Sequence, residues 1–172
     1  MGARIAVCVA IVTVMSSLPV TTQGAAPAGE LPEFPNLVLT ALDGDQQVSM
    51  ASFRGRPVLV SFWASWCGPC RIELPELQKL HDELAGRGFV LVTVNVDNTP
   101  QAARRFLEVT RLAIPVYRAS HVDLVKLGVR SIPTNILVDP EGRAVRLYEG
   151  YSPAVPSAIR ELVRGMLDGP GA

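Results

Sequence analysis

The sequence has few cysteines and histidines for its length. Its 172 residues include three cysteines and two histidines, and one pair, Cys67 and Cys70, has the CxxC spacing of many metal sites. A structural zinc site takes four ligands, but there is no second CxxC pair, and His81 and His121 are far apart in the sequence. We therefore expect no metal site, and the spacing of Cys67 and Cys70 favours a dithiol that can close into a disulfide.

The chain also lacks a net charge and a long apolar segment. Lysine and arginine together number 16, as do aspartate and glutamate, so nothing indicates a nucleic-acid partner or binding to an anionic membrane surface. The apolar run Ile5–Met15 is short for a membrane span, which needs about 20 residues. Because Arg4 precedes this run and small residues follow it, the segment is typical of a secretory signal.

These features predict the organisation of the chain. We expect residues 1–26 to be a signal peptide, residues 27–35 to be a linker rich in Pro, Ala and Gly, and residues 36–168 to form one domain. The alternative is an uncleaved N-terminal segment that anchors the protein to a membrane. Cleavage removes Cys8, which leaves only Cys67 and Cys70 and suits an exported protein, periplasmic or otherwise outside the cytoplasm.

Apolar segments separated by turn residues predict an α/β domain with a mixed sheet. A helix between the apolar segments 57–63 and 89–96 makes a βαβ unit, so these two strands should be parallel, whereas the last two strands form an antiparallel hairpin. The expected strands are 36–42, 47–49, 57–63, 89–96, a short extended segment at 114–117, 135–138 and 144–149, and the expected helices are 71–86, 100–110, 121–127 and 152–167.

The CxxC motif falls at the junction between a strand and a helix. The first turn of a helix leaves backbone N–H groups unpaired, and the helix dipole favours negative charge there. Cys67, at the outer end of the motif, is therefore expected to be the thiolate that attacks disulfides. Cys70 lies one turn further in, where it can attack a mixed disulfide formed on Cys67.

Several motifs resemble a known superfamily. Phe62–Cys70, FWASWCGPC, resembles the active-site stretch of the thioredoxin superfamily, and Ile132–Thr134 resembles its downstream proline loop. Arg71–Leu77, RIELPEL, resembles the exported TlpA/ResA-type thioredoxins, which include cytochrome c maturation proteins. The expected hairpin at 36–49 resembles the one that TlpA-type and peroxiredoxin-type (AhpC/TSA) proteins add to the core. The resemblance implies a thioredoxin fold: a central mixed sheet flanked by helices, with an added N-terminal β-hairpin.

The resemblance also implies which residues support the cysteines. Gly68 and Pro69 form the dipeptide of reducing thioredoxins, which implies a donor of reducing equivalents, and Pro69 suits the first helical turn because its missing N–H loses no hydrogen bond there. Trp66 is expected to flank the sulfur atoms. Pro133 aligns with the cis-proline of the family, which packs against the disulfide.

A substrate groove is implied beside these residues. In the family, the residue before the cis-proline offers main-chain hydrogen bonds to an extended substrate segment, which is a form of strand addition. In this sequence that residue is Ile132, and Gly150 and Tyr151 match the neighbouring loop by position.

One position departs from the family. Many thioredoxins carry a buried aspartate in the strand before the motif as proton acceptor for the second cysteine, and this chain has Ser61 there. Asp97, after the second core strand, is one candidate for proton transfer, with a turn or cap as its alternative role. Glu73, which the sequence places in the first helical turn, either complements the helix dipole or tunes the cysteines.

We therefore expect an exported thiol–disulfide oxidoreductase that reduces protein disulfides, by resemblance in cytochrome c maturation. Its redox centre is the Cys67–Cys70 couple without a further cofactor. Its partners are a disulfide-bearing protein and a membrane or exported electron donor, and the protein itself is a monomer. The alternatives are a peroxiredoxin-type thiol peroxidase, disfavoured because Ala64 stands where that family has threonine, and a copper-delivery module, for which no methionine or histidine cluster is present.

Overall fold

The computed structural model describes residues 33–169, which form a seven-stranded sheet with packed helices. The predicted signal peptide, residues 1–26, and most of the predicted linker, residues 27–35, lie outside the described residues. The strands are β1 (Val38–Ala41), β2 (Gln47–Ser49), β3 (Val58–Trp63), β4 (Val90–Asn95), β5 (Val116–Arg118), β6 (Thr134–Val138) and β7 (Ala144–Glu149). The helices are α1 (Gly68–Leu84), α2 (Pro100–Thr110), α3 (His121–Lys126) and α4 (Ala154–Leu167), with 3-10 turns at Met50–Phe53 and Ala85–Arg87.

The strand order, β2-β1-β5-β4-β3-β6-β7, confirms the predicted mixed sheet. β3 pairs in parallel with β4 and antiparallel with β6, and β4 pairs in parallel with β5. The N-terminal hairpin β1–β2 joins the sheet antiparallel to β5, and the β6–β7 hairpin forms the opposite edge. β3 therefore lies inside the sheet, with its carboxyl end leading into the CxxC motif.

The central strand β3 is buried over its whole length, so each face of the sheet covers a separate core. Leu59 and Trp63 pack with the apolar residues of α1, α2 and α4, and the ring of Trp63 lies 5.4 Å from that of Phe106 in α2. Val60 and Phe62 belong to a second core on the other face, which also includes residues of the N-terminal hairpin. Because side chains alternate along a strand, this pattern directs Ser61 toward α1.

Several boundaries differ from the sequence-based expectation, among them the start of α4 at Ala154 rather than residue 152, and two of these differences have a clear physical reason. Helix α1 begins at Gly68 rather than Arg71, because Cys67 acts as the N-cap and Pro69 occupies the first helical turn. The chain already packs against the domain before residue 36. Glu33 forms an isolated antiparallel β-bridge with Arg143, and the main-chain N–H of the buried Phe34 donates to the carbonyl oxygen of Gly142. Across residues 33–169, no helix has both the length and the apolar character needed to cross a membrane.

Candidate active site

The two cysteines form a disulfide where β3 ends and α1 begins. Their sulfur atoms are 2.05 Å apart, and Cys70 N–H donates to the sulfur of Cys67 over 3.2 Å. Cys67 is 5% exposed and Cys70 is fully buried. Cys67 therefore holds the outer position, at the helix terminus whose unpaired N–H groups favour an anionic sulfur.

A groove opens beside the disulfide, with Trp66 on one side. The Trp66 side chain is 70% exposed, although tryptophan is usually well covered. The groove has a volume of about 430 Å³, and its lining is mainly apolar. It is lined by Trp66, Val96, Leu124, Val129, Arg130, Ser131 and Ile132.

The proline loop forms another wall of the site. The Ile132–Pro133 peptide bond is cis, as the sequence motif predicted. Thr134 Oγ1 donates to the carbonyl oxygen of Ser131 over 2.7 Å, and Gly150 N–H donates to that of Pro133 over 2.8 Å. Gly150 therefore holds the adjacent loop against Pro133, and its φ of +75° suits glycine. Tyr151 follows as a half-buried residue, and within residues 33–169 no hydrogen bond joins it to the disulfide loop.

Asp97 anchors the loop that precedes the cysteines. Its carboxylate accepts hydrogen bonds from the main-chain N–H of Ser65 at 3.0 Å and from the Ser65 hydroxyl at 3.0 Å. It also accepts from the side-chain amide of Asn95 at 2.8 Å. These contacts bring Asp97 to the active-site loop two residues before Cys67, and its carboxylate is occupied by groups that fix the loop.

Glu73 lies in the second turn of α1, so its predicted position in the first turn was wrong. The cause is the earlier start of the helix, at Gly68. The side chain is 1% exposed, and its Oε1 accepts a hydrogen bond of 2.9 Å from Nδ2 of Asn135. Burial raises the pKa of the Glu73 carboxyl above its usual value of 4.5, and the Asn135 hydrogen bond offsets part of that rise.

Asn135 was not identified from the sequence. It is fully buried at the second position of β6, and it pairs in register with Ser61 of β3. The available signal was a polar residue in front of the apolar run Ile136–Val138, next to the proline loop. In the part of the chain that the structure describes, no group of three or more His, Cys, Asp and Glu side chains is arranged to hold a metal ion.

Comparisons with known proteins agree with this geometry. The model of the AhpC/TSA family matches residues 30–163. The chain belongs to this family. The thiol-disulfide oxidoreductase ResA of Bacillus thuringiensis subsp. konkukian is 30% identical over 119 residues, which cover 69% of this chain and 68% of ResA. ResA of Bacillus subtilis is 28% identical over 117 residues, which cover 67% of this chain and 65% of that protein.

Solved structures are also similar to this chain. A thiol:disulfide interchange protein assigned as DsbE, from Chlorobium tepidum, superposes with a TM-score of 0.73 at 28% identity, covering 80% of this chain and 96% of that one. StoA of Bacillus subtilis superposes with a TM-score of 0.63 at 25% identity, and the superposition covers 76% of this chain and 98% of StoA. The chain is a TlpA/ResA-type member of the thioredoxin superfamily, and its Cys67–Cys70 disulfide is the centre of a thiol–disulfide oxidoreductase.

Proposed function

We propose that this oxidoreductase reduces disulfides of exported proteins through the Cys67–Cys70 couple. The observation that carries the proposal is the disulfide itself, capped at the start of α1 beside the exposed Trp66 and the cis Pro133 loop. The Gly68–Pro69 dipeptide supports the reducing direction because the reducing thioredoxins share it.

The chemistry is a two-step thiol–disulfide exchange. The Cys67 thiolate attacks one sulfur of the substrate disulfide, and the S–S bond breaks to release the other sulfur as a thiolate. Cys70 then loses its proton and attacks Cys67, which forms the Cys67–Cys70 disulfide and releases the second substrate sulfur. Two electrons pass to the substrate, and a membrane or exported donor must later return two electrons and reduce the couple.

The substrate segment lies in the groove next to Trp66. Ile132 is half-buried, and among residues 33–169 neither its main-chain N–H nor its C=O has a hydrogen-bond partner. An extended substrate segment can pair with these groups as an added strand. Trp66 then covers the reacting sulfurs, whereas Gly150 and Tyr151 follow β7 beside Pro133 and are not among the residues that line this groove. Apocytochrome c is the substrate we propose, since its cysteines must be reduced before haem attachment and TlpA/ResA-type proteins act in that maturation.

Turnover against a protein disulfide tests the proposal. The purified chain, supplied with a dithiol reductant, is expected to reduce the interchain disulfides of insulin well above the uncatalysed rate, as followed by precipitation of the free chains. The Cys67→Ser/Cys70→Ser double variant serves as the control. Catalysed decomposition of hydrogen peroxide without insulin reduction would instead indicate the thiol peroxidase alternative.

Export is a separate expectation, motivated by the sequence of residues 1–26. We propose that this segment directs the catalytic domain out of the cytoplasm. Its removal would also remove Cys8, so that only Cys67 and Cys70 would remain, which suits an oxidising compartment. Fractionation of cells that express the full chain is expected to find the domain outside the cytoplasm, either free or held at the membrane. Recovery of the full-length chain in the soluble cytoplasmic fraction would contradict this proposal.

A further inference from the structure

A small polar cluster lies between the sheet and α1, beneath the disulfide. Ser61 of β3 and Asn135 of β6 are register partners, and both are fully buried. Residues paired in this way have Cβ atoms about 4.5–5.5 Å apart. Glu73 lies above them on α1, three residues after Cys70, and residues at that spacing are neighbours on a helix surface. The cluster of Ser61, Glu73 and Asn135 therefore connects the sheet to the buried cysteine.

The hydrogen bonding within this cluster is incomplete. The amide nitrogen of Asn135 donates to Glu73, but the Asn135 Oδ1 and the Ser61 Oγ are buried and have no partner among residues 33–169. A buried polar atom without a partner costs free energy, and native proteins pair such atoms with protein groups or ordered water. Two unpaired oxygens on directly opposed residues supply the two partners that an internal water needs as a minimum.

We propose that Asn135 and Ser61 are positioning residues for Glu73: the Asn135 amide holds the Glu73 carboxylate, and an internal water shared by Ser61 Oγ and Asn135 Oδ1 holds that amide in orientation. The water donates one hydrogen bond to Asn135 Oδ1, which leaves Nδ2 directed at Glu73. The Ser61 hydroxyl fixes the water from the opposite strand. An amide turned the other way would face the carboxylate with its oxygen and would repel it.

The consequence concerns the proton of Cys70, and it rests on the proposed function because the proton moves only during disulfide exchange. In the mixed disulfide, Cys70 is a thiol and Glu73 is a carboxylate. The proton of Cys70 passes to a Glu73 oxygen, the Cys70 thiolate attacks Cys67, and the bond between Cys67 and the substrate sulfur breaks. Glu73 then returns the proton to the departing thiolate or to water, so the charges balance.

Asn135 adjusts this step through the charge of Glu73. Burial alone raises the pKa of Glu73, and the donated hydrogen bond lowers it again because it stabilises the carboxylate. A general base works best when its pKa lies near the operating pH. Without the amide, Glu73 would remain protonated at a higher pH and could not accept the proton of Cys70.

Three variants of the full chain test this arrangement. Asn135→Leu removes the amide at similar volume, and Ser61→Ala removes the hydroxyl that fixes the water. Thr93→Val is the matched control: Thr93 is also buried and pairs with Ser61 on the other side of β3, but its hydroxyl donates to the carbonyl oxygen of Pro115 and, among residues 33–169, is not hydrogen-bonded to Glu73. The titration of the Glu73 carboxyl is followed by carbon NMR in the oxidised protein, where it does not depend on turnover.

The Glu73 midpoint is expected to rise by about one pH unit in Asn135→Leu, since a hydrogen bond to a charged group is lost. A smaller rise is expected in Ser61→Ala and none in Thr93→Val. The pH at which release of a mixed disulfide becomes half-maximal should move in the same direction in the two cluster variants. A crystal structure should place one water between Ser61 and Asn135.

An unchanged Glu73 midpoint in Asn135→Leu would overturn the inference, as would a midpoint in Thr93→Val that moves equally. A crystal structure with the space between Ser61 and Asn135 empty would overturn the role of the water. The Glu73→Gln variant distinguishes failure of the positioning role from failure of the proposed function. If Glu73→Gln leaves the pH dependence of release unchanged while insulin is still reduced, the positioning role fails and the proposed function stands. If insulin is not reduced by the unaltered chain, the proposed function has failed.

Discussion

Replacement of Cys67 by alanine is expected to reduce disulfide-reductase turnover to the uncatalysed background. The first step needs a thiolate that a substrate disulfide can reach. Cys67 is the outer cysteine: it is the N-cap of α1, and its sulfur accepts a hydrogen bond from the main-chain N–H of Cys70. Cys70 is fully buried beneath it and cannot substitute. The measurement is insulin reduction with a dithiol reductant in excess.

Cys70→Ala is the matched variant, because it removes the other sulfur of the same disulfide. It should also stop turnover, but at the second step, so mixed disulfides with substrate accumulate and can be identified after capture. Its remaining thiol is expected to react with iodoacetamide about tenfold or more faster than the thiol of Cys67→Ala near neutral pH, since the thiolate is the reactive form. Equal alkylation rates in the two variants would show that the nucleophile and the resolving cysteine were wrongly assigned.

Local signals were sufficient to predict most of the fold. The continuous apolar segments before the CxxC motif and at 89–96 indicated buried parallel strands, and β3 and β4 pair in this way. The turn residues between the last two predicted strands, Asp139–Gly142, indicate a hairpin, and β6 and β7 form it. The start of α1 was missed because its first residues, Gly68 and Pro69, are poor helix formers in general, and the cap contributed by Cys67 compensates at this position.

The outer part of the site was also recognisable in the sequence, whereas its buried part was not. The spacing of Cys67 and Cys70 is local, and the motif around Pro133 was enough to predict a cis peptide bond. The contact between Glu73 and Asn135 joins residues 62 positions apart. It depends on the register of β3 against β6 and on how α1 packs over both strands, and a single sequence specifies neither directly. The sequence therefore left two roles open for Glu73, complementing the helix dipole or tuning the cysteines, and gave no sign of its contact with the sheet.

The position of Ser61 shows how this site differs from the acid-containing thioredoxins. The strand position that carries an aspartate in many of them has a neutral hydroxyl here, and the buried carboxylate is supplied by α1 instead. Asp97, the other acid near the motif, is already bonded to Ser65 and Asn95. Glu73 is the acid whose pKa burial raises, and we propose it on that ground, together with its place three residues after Cys70, as the group that changes protonation during exchange.

Glu73→Gln is expected to stabilise the oxidised protein at neutral pH and to slow its turnover. Glutamine can still accept the hydrogen bond from Asn135, but it carries no charge that burial penalises and cannot take a proton from Cys70. Loss of a general base lowers a rate by about 10²–10⁴. The two effects therefore have opposite signs, which separates them from a general loss of folding.

The pH dependence of stability gives the sharper test. The folded pKa of Glu73 is raised, so below its usual value of 4.5 the group is protonated in both the folded and the unfolded chain and carries no penalty. As the pH rises above 4.5, the unfolded chain loses this proton first, and the wild type loses stability until the pH passes the folded pKa. Each unit of raised pKa corresponds to about 1.4 kcal/mol. The free energy of unfolding of Glu73→Gln, measured in urea from pH 4 to pH 8, should therefore increase relative to wild type over that window. Glu76→Gln is the control, because Glu76 lies on the same helix in a surface pair with Lys79, and its free energy of unfolding should show no such increase relative to wild type. If the difference between Glu73→Gln and wild type stays constant with pH, the prediction is wrong and the Glu73 carboxyl titrates normally in the folded protein.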